Sequence, residues 1–358
     1  MRKQIRNPSD YQGYATRLNT RLMAAPLGLC FVLISGYSDS AIADESSDRY
    51  LQRESVREYI RQLSAEHNFN VNRISGMFVR LTRQQRILDK ISAPAERTLS
   101  WRQYRPIFVT PERIDKGREF LLRHRSLLEA AEREFGVPPE IITAIIGVET
   151  FYGRHMGSYR VLEALATLAF DYPPRSEFFA RELKEFIVLS ESEGWDTVNI
   201  MGSYAGAMGM PQFISSSYRE YAIDFDQSGT RDLFTSDADI IGSVANYLAR
   251  HGWRSDEPIA TRWELPTGGV SADMRNLVTE ELFPSVTAET VRKLGFDSPT
   301  LDVAAAPTEL VSVMTMAGES GEELWVGYRN FYAITRYNHS RLYALAVFQL
   351  AEAIRARS

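Results

Sequence analysis

The sequence predicts a mainly α-helical (α+β) protein, a helical body with a small β-containing insertion towards its carboxyl end. Three observations carry that expectation. Proline-marked helix starts recur, at Thr110-Pro-Glu112 and Val137-Pro-Pro-Glu140, where proline forfeits no hydrogen bond in the first turn. Apolar residues recur at helical spacing, as in Ile141, Ile142, Ile145, Ile146 and Val148. Residues 255–330 alone change character: prolines and glycines punctuate them, and Leu310–Met316 and Glu323–Val326 alternate as strands do.

Taken in order, residues 1–43 read as an export signal. A basic stretch ends at Arg21, Leu22–Ile34 is apolar, and Ala41-Ile42-Ala43 supplies a small-x-small cleavage pattern. The apolar part is too short for a membrane span. Cys30 is the only cysteine; a lipoprotein signal would use it, but Leu29 before it is bulkier than that processing accepts, so soluble export is expected. Once the signal is removed there is no thiol chemistry. Residues 44–105 form an N-terminal helical region: a polar lead-in, a charged helical pattern from Val56 to Leu88, a break at Ser92–Glu96, and Trp101–Pro106, read as an aromatic, extended segment.

The body, 106–254, opens with one long helix from Thr110 to about Phe135. The helix of Glu149 follows, then Val161–Phe170, Arg175–Glu191, Phe213–Tyr221 and Ile240–His251. The insertion spans 255–335, with a short helix at Ser285–Leu294. Residues 336–358 return as a helix, from about Ser340 to Arg355, whose Leu342, Leu345, Ala346, Phe348 and Leu350 can rejoin the core.

Composition is that of a globular protein of 358 residues, 44% hydrophobic and 24% charged. The net charge of −5 hides an asymmetry, since residues 1–43 hold +3 and the remainder −8. An acidic body argues against nucleic acid as a partner. The five histidines form no paired ligand spacing, which argues against zinc hydrolysis.

Glu149 is the most informative residue. Ile142, Ile145 and Ile146 precede it by seven, four and three positions and so share its face. A carboxylate there is costly unless paired or neutral. Burial raises a carboxyl pKa, which suits a general acid; the other reading is an ion pair with Arg154 or Arg160. The run Ser203–Phe213 holds three glycines that permit close backbone approach, and Gln212, which both donates and accepts hydrogen bonds. Arg336-Tyr337-Asn338 offers another ring and amide, and Tyr104 and Tyr247 add rings suited to sugar faces.

Together these segments resemble the lytic murein transglycosylase B family. The resemblance is carried by Ile145–Gly153, Leu162–Leu168, Tyr172–Arg175, Gly202–Gly209 with Gln212-Phe213, Ile241–Tyr247 with His251-Gly-Trp253, and Thr335–Asn338, and it covers roughly residues 70–355. It implies a lysozyme-like catalytic core over 106–254, peptidoglycan glycan strands as substrate and a periplasmic location, with wall-synthesis proteins as candidate partners and a monomeric state. It implies that Glu149 acts first as acid and then as base, cleaving the MurNAc–GlcNAc β-1,4 bond without water to give 1,6-anhydromuramoyl products. No cofactor serves the chemistry. A two-carboxylate glycosidase would need a partner about 5–5.5 Å away or farther, and Glu163, the nearest by sequence, lies beyond Gly153. By the same matching, Ser203, Gln212, Tyr247, Tyr337, Asn338 and Tyr104 line the sugar groove, with Ser203 and Gln212 orienting Glu149 and the N-acetyl group. Phe178 stands where a tyrosine is expected, so a hydroxyl contact is lost there.

A second signal is Asp224-Phe-Asp226-Gln-Ser228-Gly-Thr230. Oxygen donors at loop positions 1, 3, 5 and 7 with glycine at 6 match an EF-hand calcium loop. Position 12 is Thr235 in place of glutamate, so Asp237 or Asp239 must close the site, and the resemblance favours Asp239. A structural calcium or sodium ion is expected. Two other readings stand beside transglycosylation: a hydrolytic muramidase of the goose-type lysozyme kind, and a non-catalytic wall-binding protein. End or interior cleavage and stem-peptide preference leave no mark in the sequence.

Overall fold

The structure, a computed structural model, describes residues 49–92, 99–263, 269–279, 281–296 and 306–356. The export segment with Cys30, and most of the Ser92–Glu96 break, lie outside the described residues. Among those described, no helix is long and apolar enough to cross a membrane.

The helical pattern of 56–88 resolves into α1 (Glu54–His67), α2 (Val71–Phe78) and α3 (Gln85–Ile91). Asn68, left-handed at φ 55°, ends α1, and the Asn70 side chain then caps α2 by accepting from the backbone of Asn72 and Arg73. Trp101–Pro106 is not extended, contrary to expectation. It is part of α4 (Trp101–Phe108), which a reciprocal capping box between Ser100 and Gln103 starts. Pro106 costs this short helix one hydrogen bond without stopping it. The long helix expected from Thr110 to Phe135 is two, α5 (Pro111–Arg123) and α6 (Arg125–Phe135), broken at His124 with φ −108° and ψ 22°. The His124 ring lies 4.4 Å from that of Phe120 at the break.

At the centre is α7 (Pro139–Thr150), every residue of which from Ile141 onward is buried. A helix apolar all round belongs inside a larger assembly, and α5, α6, α11 (Asp237–Arg250) and α15 (Arg341–Arg355) pack around it. Between them come α8 (Val161–Asp171), α9 (Ser176–Glu193) and α10 (Ser215–Tyr221). Two short strands, β1 (Tyr159–Arg160) and β2 (Met201–Gly202), pair antiparallel beside α8.

The insertion is a four-stranded antiparallel sheet in the order β3-β6-β5-β4: β3 is Ala260–Trp263, β4 Val286–Thr287, β5 Leu310–Gly318 and β6 Gly321–Gly327. With α12 (Ala272–Asn276) and α13 (Ala288–Lys293) the sheet encloses a second apolar core around Trp263, Val291, Phe296, Val313 and Val326. The chain leaves through α14 (Arg329–Tyr337), whose Phe331, Ala333 and Ile334 join the main core.

Candidate active site

Four elements bring the chemistry together. Helix α7 supplies Glu149, which is 7% exposed, and α15 supplies Tyr343, fully buried, whose hydroxyl donates to Glu149 Oε1 at 2.6 Å. Neither Arg154 nor Arg160 is the partner weighed for this carboxyl: Arg154 pairs with Glu112 at 3.3 Å, and Arg160 is exposed on its short strand. Removal from water penalises the charged form of a carboxyl, while a donated hydrogen bond favours it. Sequence reasoning missed Tyr343; the helical face it shares with Ala346, Val347 and Leu350 reads simply as core.

The α11 helix and the α14–α15 junction add the rings. Tyr247 and Tyr337 lie 4.8 Å apart, Phe213 lies 5.5 and 5.8 Å from them, and Tyr337 stacks almost parallel to Tyr343 at 6.4 Å. Their hydroxyls are anchored to backbone, Tyr247 donating to Arg336 at 2.6 Å and Tyr337 to Pro211 at 2.7 Å. Burial pushes the Tyr337 hydroxyl well above its ordinary pKa, and the negative charge of Glu149 adds to that rise. Tyr247 rises mainly through burial too, with Glu149 among the lesser causes. These tyrosines are therefore neutral donors across the physiological range. His251 stacks on Tyr247 at 4.1 Å and holds it from behind.

The glycine-rich loop forms a compact set of turns. Ser203, fully buried, accepts from the backbone of Ala207 at 3.0 Å and of Ala205 at 3.4 Å, closing the turn that Gly206 makes possible at φ 82°. Gln212 is itself left-handed at φ 54°, and its amide donates to Gly209 at 2.9 Å and Met156 at 3.2 Å. Its Oε1, like Asn338 Oδ1, is buried and receives no protein hydrogen bond. Buried acceptors without donors are uncommon and demand an explanation.

Two expected groove residues sit differently. Tyr104 is fully buried, its ring 4.9 Å from Phe108, so protein covers the stacking face expected of it. The cause is the helical path of α4, which turns Trp101, Tyr104 and Phe108 onto one inward face. Phe178 is half-buried under the Arg175 guanidinium, 4.2 Å from its ring centre.

Among the described residues the buried carboxylates are Glu149, Glu182 and Asp239. Glu182 accepts from both the backbone and the hydroxyl of Ser216, at 2.9 and 2.7 Å. Asp239 serves the acidic loop, where it accepts from Phe225 and Asp232 backbone amides at 2.8 Å each. Glu163 is bonded to Gln84 at 2.9 Å. Glu149 thus stands as the one buried carboxyl set among the tyrosines.

In the acidic loop, oxygens of Asp224, Asp226 and Asp239 lie within 4.8 Å of one another. Ser228 Oγ bonds to Asp224 and to the Thr230 carbonyl, which brings both oxygens into the cluster. Thr235 is turned away onto Asp232, and Asp237 faces His124 at 3.6 Å, so the third carboxylate of the cluster is Asp239. A hard, all-oxygen donor set of this kind fits calcium or sodium.

Comparison with known proteins gives a consistent result. Residues 52–352 match the family described as Transglycosylase SLT domain. The membrane-bound lytic murein transglycosylase B of Escherichia coli K12 is 36% identical over 308 residues, 84% of this chain and 82% of that protein. The crystal structure of the soluble lytic transglycosylase SltB1 from Pseudomonas aeruginosa superposes with a TM-score of 0.78 at 44% identity, covering 85% of this chain and 99% of the other. The Escherichia coli lytic transglycosylase Slt35 in complex with calcium gives 0.75 at 34% identity, covering 88% and 95%.

Proposed function

The chain belongs to the transglycosylase SLT domain family, and from that membership and the geometry around Glu149 we propose that it is a lytic transglycosylase acting on peptidoglycan. The observation that carries the mechanism is the solitary Glu149 carboxyl, buried among Tyr247, Tyr337 and Tyr343 and hydrogen-bonded to the last of these.

Glu149 gives its proton to the glycosidic oxygen between MurNAc and GlcNAc, and the C1–O bond breaks. The muramoyl C6 hydroxyl then attacks C1 and returns its proton to Glu149, so no water is consumed and the product is the 1,6-anhydro sugar. A nucleophile held within the same sugar has a high effective molarity, which removes the need for a second carboxylate. Positive charge that develops at C1 meets the faces of neutral tyrosines. The open acceptors Gln212 Oε1 and Asn338 Oδ1 suit the N–H of an N-acetyl group and a sugar hydroxyl. Ser203 fixes the loop that carries Gln212.

Asp224, Asp226, Asp239, Ser228 and the Thr230 carbonyl would hold a calcium ion, which would offset most of the charge of three crowded carboxylates and stabilise the loop against α11, away from the chemistry at Glu149. The export signal and the substrate agree on a periplasmic site of action.

Mass spectrometry of digested sacculi tests the reaction. The expected product is one water lighter than a hydrolytic muropeptide, and water-bearing ends would assign the protein as a muramidase. Glu149→Gln is expected to abolish sacculus clearing while the melting transition persists; clearing at the wild-type rate would exclude Glu149 as the acid.

A further inference from the structure

Of the three buried carboxyls among the described residues, Glu182 alone serves neither the sugar chemistry nor the acidic loop. It is 4% exposed and shares the inward face of α9 with Phe179 and Phe186, three residues before it and four after. A carboxyl so placed is costly unless its oxygens are engaged. Both are: Oε2 accepts from the Ser216 amide at 2.9 Å and Oε1 from the Ser216 hydroxyl at 2.7 Å, across 34 residues of sequence.

Ser216 is the second residue of α10, and the start of that helix lacks a cap of its own. Ile214 stands at the N-cap, where its side chain offers no acceptor, although the first amides of a helix have no partner within it. Glu182 supplies from α9 the acceptor that a serine or aspartate at position 214 would supply locally. The far end of α10 is held separately. Tyr218, fully buried, donates to the Arg231 carbonyl at 2.6 Å and accepts from the Leu233 amide at 3.1 Å. Glu182 therefore governs the beginning of α10, and Gln212-Phe213 lies just ahead of it in the chain. Phe213 is tied to Met208 by two backbone hydrogen bonds, of 2.9 and 3.0 Å, and its ring lies against Tyr247 and Tyr337. Gln212, at φ 54°, is in a conformation that persists only when surroundings enforce it. The Met208 pair closes the chain before it, and the bonds to Glu182 hold the chain after it.

We infer that Glu182 is a positioning residue for glycan cleavage: by capping α10 from α9 it keeps Gln212 and Phe213 in register with Glu149. The inference rests on the transglycosylase reading and adds to it a residue that acts only through others. The test measures kcat and KM on purified glycan strands. Glu182→Ala removes both bonds and is expected to lower kcat about tenfold with KM little changed, since a small misplacement of a positioned group costs rate. Glu182→Gln, whose amide can accept from the Ser216 N–H and donate to its hydroxyl, should restore kcat to within about twofold. Ser216→Ala, which keeps one of the two bonds, should lower kcat about threefold and add nothing to Glu182→Ala, because the pair acts as one unit. Leu183→Ala, a cavity at a fully buried position of the same helix, controls for lost stability and, below its melting transition, should keep kcat within about twofold. Wild-type kcat in Glu182→Ala, an equal loss in Leu183→Ala, or a Glu182→Gln variant as slow as Glu182→Ala overturns the inference. If Glu182→Ala does not fold, Ser216→Ala carries the comparison, and an unchanged kcat there overturns it. Wild-type protein that cleaves no strand would instead overturn the reaction itself, so the two failures are distinguishable.

Discussion

Tyr343 holds one oxygen of Glu149 at 2.6 Å across 194 residues of sequence, and that bond sets where the proton donor points. Tyr343→Phe removes the hydroxyl and leaves the ring in its stack with Tyr337. A hydrogen bond to a charged group contributes about 1.5–3 kcal/mol, so kcat on sacculi should drop by roughly tenfold or more, with KM little changed. An unaltered kcat would show that the bond does not position the acid. His339 gives a pH signature of a different kind. Burial, then the charges of Arg336, Arg175 and His251, depress its pKa to about 4 from an ordinary value of about 6.5. A depressed base binds its proton less well in the folded state, so stability is complete above pH 6.5 and declines as pH falls towards 4. His339→Gln should flatten the fall in melting temperature across that window, as calorimetry at stepped pH would show.

At the level of elements, the end of α7 is tightly constrained. Phe151 and Tyr152 are consecutive non-glycine residues in the left-handed region, at φ 52° and 58°, a conformation that persists only when surroundings enforce it. The Tyr152 hydroxyl donates to the Arg113 carbonyl at 2.9 Å, and its ring fills the space left by two missing side chains: a Cβ on Gly117 or Gly147 would lie 2.4 or 2.5 Å from the tyrosine oxygen. Gly147→Ala should therefore expel Tyr152 and destabilise the fold by about 2 kcal/mol, measurable by urea unfolding, and should lower activity by moving Glu149. Sequence does not show that the helix stops at Thr150, with two aromatics in the left-handed region before Gly153, because nothing local in Phe-Tyr demands it. Pattern reading succeeded where one face decides the element, as in α8, α9 and α15. It failed at α4, where Pro106 and five polar or aromatic residues before it concealed a helix that Ser100 and Gln103 start. The acidic loop stands out in the sequence because Asp224, Asp226, Ser228 and Thr230 alternate along one short stretch. The bond between Glu149 and Tyr343 was not, because only the tertiary packing of α7 against α15 creates it.

For the molecule as a whole, stability should depend on a cation as well as on two apolar cores. Asp239 joins α11 to the acidic loop through backbone amides of Phe225 and Asp232, so an ion at that carboxylate would strengthen the contact between the loop and the helix that follows it. At calcium one hundred times its dissociation constant, binding adds about 2.7 kcal/mol. Chelation should therefore lower the melting temperature by several degrees while leaving the anhydro product unchanged. Identical transitions with and without chelator would remove the metal from the account. The burial of Tyr343 in α15 has a further outcome: the grip on Glu149 comes from a helix 194 residues along the chain, so the acid is oriented only where α7 and α15 have docked, and any loosening of that seam is felt first as a misdirected proton.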